Sequence, residues 1–199
     1  MLVAATLLLL TGASRSVVLQ GSVSLKRNDP PASVAIIMTE GRAEATGFAG
    51  GNVYSGRFVV AVHAPGVRME TDLNDLLGVE TLSFAEHSYW PTWPIVFQDL
   101  NHDGQPDFSI AQHSCANNAE YSLLTIGADG RVSKLDIIPN GRVWITGGEP
   151  SSAAIRLTAH GFRVGTYDNS MGSGVVKSYR WDEERHAFVL STPTSGHKK

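Results

Sequence analysis

Short apolar runs separated by turn residues recur along nearly the whole chain. Val, Ile, Thr, Tyr and Phe are frequent in these runs, and they suit the pleated, half-buried surface of a sheet. The pattern predicts strands over residues 17–25, 33–39, 53–64, 66–71, 80–84, 95–98, 108–112, 121–126, 132–137, 143–146, 154–158, 161–167, 175–181 and 186–191. We therefore predict an all-β fold, built as an antiparallel sandwich, a barrel or a propeller-like sheet.

One segment departs from the strand pattern. Residues 72–77 predict a single helical turn, because Thr71 or Asp72 can cap its start and Gly78 can end it.

The two ends of the chain differ from its middle. Residues 1–15 hold an apolar stretch followed by small residues, which predicts a signal peptide cleaved near Ala13. A buried first strand is the alternative interpretation. Residues 16–192 are predicted to form a single β-rich domain, and the polar residues 193–199 a frayed tail. An exported chain of this kind would be periplasmic or secreted.

The charge and the cysteine content limit the classes of partner and the sources of stability that are expected. The net charge is -3 and the pI is about 6.1, so the basic surface that nucleic acids require is not expected. Cys115 is the only cysteine, and an intrachain disulfide therefore cannot form. Stability must come from core packing or from a bound ion. No segment after the N-terminal stretch is apolar enough to predict a transmembrane span.

The segment 99–107 reads Asp-Leu-Asn-His-Asp-Gly-Gln-Pro-Asp and predicts a calcium-binding loop. Oxygen-bearing residues occupy alternate positions, namely Asp99, Asn101, Asp103, Gln105 and Asp107. Calcium prefers six to eight oxygen ligands, and alternate spacing lets a tight loop turn such groups inward. Gly104 permits the sharp turn, and Gln105 can offer its backbone carbonyl. An ordinary Asn/Asp/Gly turn is the alternative, but three carboxylates so close together would repel one another without a cation.

The expected site is structural and of modest affinity. An EF-hand places a bidentate Glu at the twelfth loop position, where this chain has Ile110. A helix-loop-helix EF-hand is therefore excluded, and a dissociation constant of roughly 10⁻⁴ to 10⁻³ M is expected. Glu120 could complete the ligand shell from the next strand, although a solvated strand-edge charge explains it equally well.

The segment from Ile95 to Ile110 resembles the Asp-x-Asn-x-Asp-Gly-x-x-Asp calcium loops of FG-GAP and integrin-like repeats. This resemblance implies calcium as the bound ion and says nothing about the partner. The loop occurs once, which counts against a propeller of several such blades.

The C-terminal half resembles a group of bacterial envelope proteins. Tyr121, the turn 127–130 and the segments 175–181 and 186–190 are similar to periplasmic lysozyme inhibitors, including immunity proteins against lysozyme-like effectors of type IV secretion. In that group a Ser-Gly loop followed by a Tyr enters the hydrolase cleft. The resemblance implies Ser173, Gly174 and Tyr179 as a candidate inhibitory loop, with a peptidoglycan hydrolase as the protein partner. A strand start beside a glycine bulge is the alternative.

The leading hypothesis is a non-enzymatic periplasmic protein in which calcium stabilises the β-domain and which inhibits a peptidoglycan hydrolase. Two other functions compete with it. Exposed Trp90 and Trp93 would suit an adhesion or carbohydrate-binding module. A calcium-dependent hydrolase needs an acid/base pair outside the metal shell, and the sequence presents no such pair. The histidines are scattered without zinc-ligand spacing, and His102 and His113 beside the loop are expected at the surface.

Overall fold

The computed structural model describes residues 15–26, 29–46, 51–85, 93–114, 118–146, 151 and 154–191. Residues 1–14 of the predicted signal peptide, Trp90, Cys115 and residues 192–199 lie outside this range. In chain order the elements are β1 (Ser16–Val23), β2 (Ala32–Thr46), β3 (Gly51–Ala64), β4 (Val67–Asp72), α1 (Leu73–Leu77), β5 (Leu82–Ala85), β6 (Trp93–Pro94), β7 (Phe97–Gln98), β8 (Asp107–Ser114), β9 (Asn118–Ile126), β10 (Val132–Ile138), β11 (Val143–Thr146), β12 (Arg156–Thr158), β13 (Gly161–Asp168), β14 (Ser173–Asp182) and β15 (Ala187–Ser191). The predicted all-β class is confirmed.

Two sheets share these strands. The first has six strands in the order β4-β3-β2-β1-β6, with β5 paired to β3. The second has nine strands in the order β12-β13-β14-β15-β10-β9-β8-β7, with β11 paired to β9. Most pairs are antiparallel, as predicted, but β1 pairs with β6 and β10 with β15 in parallel. Both sheets are therefore mixed, because β6 and β15 return after long connections that allow parallel pairing.

The hydrophobic core has two parts that meet at β9. The first lies between the first sheet and one face of β8, β9 and β10, where Phe108 and Leu124 are buried. The second is enclosed by β9, β10, β11, β13, β14 and β15, and includes Leu123, Phe162 and Phe188. Strands that are distant in the sheet order contribute to this one cluster, so the second sheet curls around it. Leu123 and Leu124 point to opposite cores, as neighbouring residues on a strand must.

One side chain holds the open edge of the curled sheet. Asn118, at the start of β9, is 5% exposed. Its Nδ2 donates to the carbonyl oxygen of Tyr167 on β13, and its Oδ1 accepts from the N–H of Tyr167, both at 2.8 Å. The described strands include no backbone ladder between β11 and β13. At this seam, where β9 and β11 meet β13, the Asn118 amide therefore supplies the hydrogen bonds to the backbone that a neighbouring strand supplies elsewhere in the sheet.

The short helix matches its predicted caps. Asp72 precedes α1 and its side chain accepts from the N–H of Asp75 at 2.9 Å, while Gly78 ends the helix with a φ of 67°. This confirms the prediction of a helical turn between Asp72 and Gly78. In the part of the chain that the structure describes, no helix is long and apolar enough to cross a membrane.

Candidate metal centre

The acidic loop connects β7 to β8. These strands pair Phe97 with Phe108 and Gln98 with Asp107, so Asp107 lies at the point where the loop re-enters the sheet. Leu100 is 1% exposed and belongs to the second core, which anchors the first half of the loop. Gly104 has a φ of 83°, the left-handed backbone that favours glycine. The sharp turn predicted at Gly104 is therefore present.

Hydrogen bonds inside the loop fix its carboxylates. Three backbone N–H groups donate to carboxylate oxygens: Gly104 to Asp99 Oδ2 (3.1 Å), Gln105 to Asp103 Oδ1 (2.7 Å) and Leu100 to Asp107 Oδ2 (2.7 Å). Asn101 Nδ2 also donates to Asp103 Oδ2 at 2.9 Å. The loop is thus closed by its own side chains, and both oxygens of Asp103 are engaged.

Three other oxygens in the loop are buried without a hydrogen-bond donor. They are Asp99 Oδ1, Gln105 Oε1 and Asp107 Oδ1. A buried oxygen that lacks a donor is unfavourable, and native proteins contain few of them. Carboxylate and amide oxygens are also the ligands that calcium prefers. The donor chemistry of these atoms therefore fits a calcium ion.

Asp107 is the most buried member of the loop, with 0% exposure. The pKa of its carboxyl group is raised to about 7, mainly by burial and to a smaller extent by the nearby charges of Asp103 and Asp99. The Leu100 N–H lowers the pKa, and so does the Thr125 hydroxyl, although the geometry of that contact falls short of a hydrogen bond. A carboxylate at this position therefore lacks compensating positive charge.

The loop does not present a convergent cluster of acids. Among the described residues there is no group of three or more His, Cys, Asp or Glu side chains positioned to hold a metal ion. Binding would therefore depend on amide and backbone oxygens as well as carboxylates, and on small rotations of exposed Asp103. The residues that fit are the five predicted ones, Asp99, Asn101, Asp103, Gln105 and Asp107.

Glu120 does not join the loop, so the prediction that it completes the ligand shell is wrong. Asp107 pairs with Thr125 across β8 and β9, whereas Glu120 lies five residues away along β9. At about 3.3 Å per residue, that separation is on the order of 16 Å. Glu120 instead accepts a hydrogen bond from Arg142 at 3.0 Å.

The predicted inhibitory residues do not form one protruding unit. Ser173 and Gly174 are exposed and begin β14, paired with Asp168 and Tyr167. Tyr179 is 7% exposed, and its ring stacks on Phe162 with centroids 5.0 Å apart. Tyr179 is therefore a core residue that cannot enter a partner's cleft. Ser173 and Gly174 instead form the start of a strand, which was the alternative interpretation.

The other aromatic and histidine candidates have structural partners. Trp93 is half-buried against the first core, and its Nε1 donates to the carbonyl oxygen of Ala85 at 2.9 Å. That packing leaves Trp93 unsuited to an exposed recognition platform, and Trp90 lies outside the described residues. His102 is exposed, as predicted, and its Nε2 lies 2.7 Å from the Thr158 carbonyl oxygen. This contact ties the loop to the end of β12.

Sequence reasoning missed two residues that shape the sites. Thr125 is remote in sequence from the loop, yet the strand register places it opposite Asp107. Asn118 carried no signal of its role, because the pair Asn117-Asn118 ahead of an apolar run usually indicates a turn. Only the register of β9 against β8 and the curl of the second sheet reveal either role.

Comparison with known proteins does not assign this chain to a family. The chain matches no family model, and no curated protein or solved structure matches it significantly.

Proposed function

We propose that the chain is a non-enzymatic calcium-binding protein of the bacterial periplasm or cell exterior. The observation that carries this proposal is the set of three buried oxygens without donors, on Asp99, Gln105 and Asp107, within one tight loop. A turn that served only to connect two strands would have no need of them. The proposed export rests on the N-terminal sequence alone. Calcium is abundant in the compartments that an exported chain would reach.

The charge balance of the loop supports the same conclusion. Asp99, Asp103 and Asp107 form no ion pair with any Lys, Arg or His in the described ranges. The Asn101 amide is the side-chain donor that approaches one of them. A divalent cation in the loop would offset three negative charges that the protein itself leaves without a cationic partner.

Bracing the loop would stabilise both parts of the core. Leu100 at the start of the loop belongs to the second core, and Phe108 just after it belongs to the first. An ion held between these anchors would fasten the β7–β8 hairpin in a protein that cannot form an intrachain disulfide.

Calcium is expected to raise the thermal stability of the purified chain. With a dissociation constant of about 0.1 mM and about 1 mM free calcium, binding to the folded state contributes roughly 1.4 kcal/mol. For a chain of this size that corresponds to a rise in Tm of about 3 to 6 °C relative to EDTA. Thermal unfolding followed by circular dichroism measures the shift, and Asp103→Ala should remove it.

Asp129→Ala is the matched control, because Asp129 lies in the exposed turn between β9 and β10. It should leave the calcium-dependent rise intact. Identical unfolding curves in EDTA and in calcium for the unaltered chain would contradict the proposal.

We further propose that the partner is a lysozyme-like peptidoglycan hydrolase, on the strength of the sequence resemblance. The accessible candidates are Ser173 and Gly174, next to the β13–β14 turn where Met171 is 68% exposed. Burial of Tyr179 moves the expected contact from a Ser-Gly-Tyr loop to this hairpin tip.

An equimolar amount of the chain is expected to inhibit an invertebrate-type lysozyme in a cell-wall turbidity assay. Gly174→Arg should weaken inhibition at least about tenfold, since a bulky side chain at the tip would obstruct docking. Tyr179→Phe should inhibit normally because its ring lies in the core. Full lysozyme activity in the presence of excess chain would rule out this partner and leave the calcium site untouched.

A further inference from the structure

A cleft of about 270 Å³ opens at the mouth of the curled second sheet. Its walls include Asn118, Trp144, Tyr167, Asp168, Val175 and Lys177, and it shares no residue with loop 99–107. Lys177 pairs with Val164 across β13 and β14, so both side chains lie on the face that encloses the second core. The mouth of a curled sheet is a common location for small-molecule sites.

The walls of the cleft are held in place by hydrogen bonds. Asn118 joins β9 to Tyr167 on β13 and also accepts from the hydroxyl groups of Thr146 and Thr166 at 3.3 and 3.4 Å. Asp168 Oδ1 accepts from the N–H and the hydroxyl of Ser170 at 2.9 and 2.6 Å. A cleft fixed in this way requires little reorganisation when a ligand binds.

Two of its side chains retain unused binding capacity. Within the described residues, the Lys177 ammonium group forms no ion pair, and the Trp144 indole N–H forms no hydrogen bond. Both side chains are half-buried. Asp168 at the rim acts on Lys177 only through space, because Asp168 Oδ1 is bound by Ser170 and the two described side chains form no ion pair.

Asp168 is ionised at neutral pH. The Ser170 hydroxyl, followed by its N–H, holds the pKa of this carboxyl group below its usual value, and the charge of Lys177 acts in the same direction. The cleft therefore combines a fixed hydrogen-bond acceptor and a cation, and Trp144 forms part of its wall.

We propose that this cleft binds a single saccharide unit that bears a carboxylate group. The Lys177 ammonium would pair with that carboxylate, and Asp168 would accept from ring hydroxyls. Trp144 and Val175 would cover the apolar face of the sugar ring. The volume is near the lower limit of small-molecule sites, roughly 300 to 1,000 Å³, which suits one ring better than a chain of rings.

The test is calorimetric titration of the full chain with glucuronic acid and with glucose, which differ at the carboxylate. Glucuronic acid is expected to bind with a dissociation constant of about 1 mM, and glucose at least about tenfold more weakly. Lys177→Gln should abolish this preference, and Trp144→Ala should weaken both sugars. Lys134→Gln on β10 is the matched control, because Lys134 does not line the cleft, and it should bind as the unaltered chain does.

Three results would overturn the proposal. One is equal binding of glucuronic acid and glucose, and another is a preference that survives Lys177→Gln. The third is binding of free glutamate but of neither sugar, which would assign the cleft to amino acids. Thermal unfolding confirms that each variant is folded, and Lys177→Gln decides the outcome if Trp144→Ala does not fold. Repeating the titration in EDTA separates this site from the calcium loop.

Discussion

The substitution Asp107→Asn is expected to make the calcium-free protein more stable at pH 8. Burial raises the pKa of Asp107 from 3.8 to about 7, so the folded state favours the protonated acid. The resulting penalty is absent below pH 3.8, grows as the pH rises, and is complete above about 7. A shift of this size corresponds to about 4 kcal/mol as an upper limit. A neutral amide can still accept from the Leu100 N–H and avoids the penalty.

Urea unfolding in EDTA at pH 8 and pH 4.5 measures the effect. The stability difference between Asp107→Asn and the unaltered chain should be large at pH 8 and small at pH 4.5. In calcium this stability difference should shrink or change sign, because the amide binds the ion more weakly than a carboxylate. Asp129→Asn, at an exposed turn, should show no such pH dependence. A variant that is less stable than the unaltered chain at both pH values would contradict this account of Asp107.

The sequence was sufficient to predict the elements that depend on local patterns. Burial along β10 falls on the apolar residues Val132, Leu135 and Ile137, and Asp72 and Gly78 cap α1 as predicted. The loop 99–107 was recognisable because its oxygen-bearing residues and Gly104 are close in the chain. Such features need only the period of a strand or the geometry of one turn.

Features that depend on distant pairing could not be predicted from the sequence. The role of Glu120 depended on the register of β9 against β8, which places Thr125 rather than Glu120 opposite Asp107. The family resemblance implied Tyr179 as part of an inhibitory loop, but the alternation of β14 turns its ring toward Phe162. The parallel pair of β10 and β15 likewise joins segments about fifty residues apart, such as Ile137 with Phe188.

Substitution of Asn118 by Ala is expected to destabilise the protein by about 3 kcal/mol. It removes both hydrogen bonds to Tyr167 and leaves that residue's half-buried N–H and carbonyl groups without partners at the seam. An unsatisfied buried polar group costs about 1 to 3 kcal/mol, and this substitution leaves two such groups on Tyr167. Because this side chain joins β9 to β13, we also expect the seam to open locally before the whole domain unfolds.

Native-state hydrogen exchange distinguishes local opening from general destabilisation. In Asn118→Ala the amide of Tyr167 should lose more protection than the amide of Leu123, which lies in the second core on β9. Thr146→Val is the matched control, since it removes only the 3.3 Å contact with Asn118 at an exposed position and should cost less than about 0.5 kcal/mol. Equal loss of protection at both amides would show that Asn118 contributes to the core as a whole. Asn118 would then not act as a local fastener between β9 and β13, and the sugar cleft would lose its rigid wall.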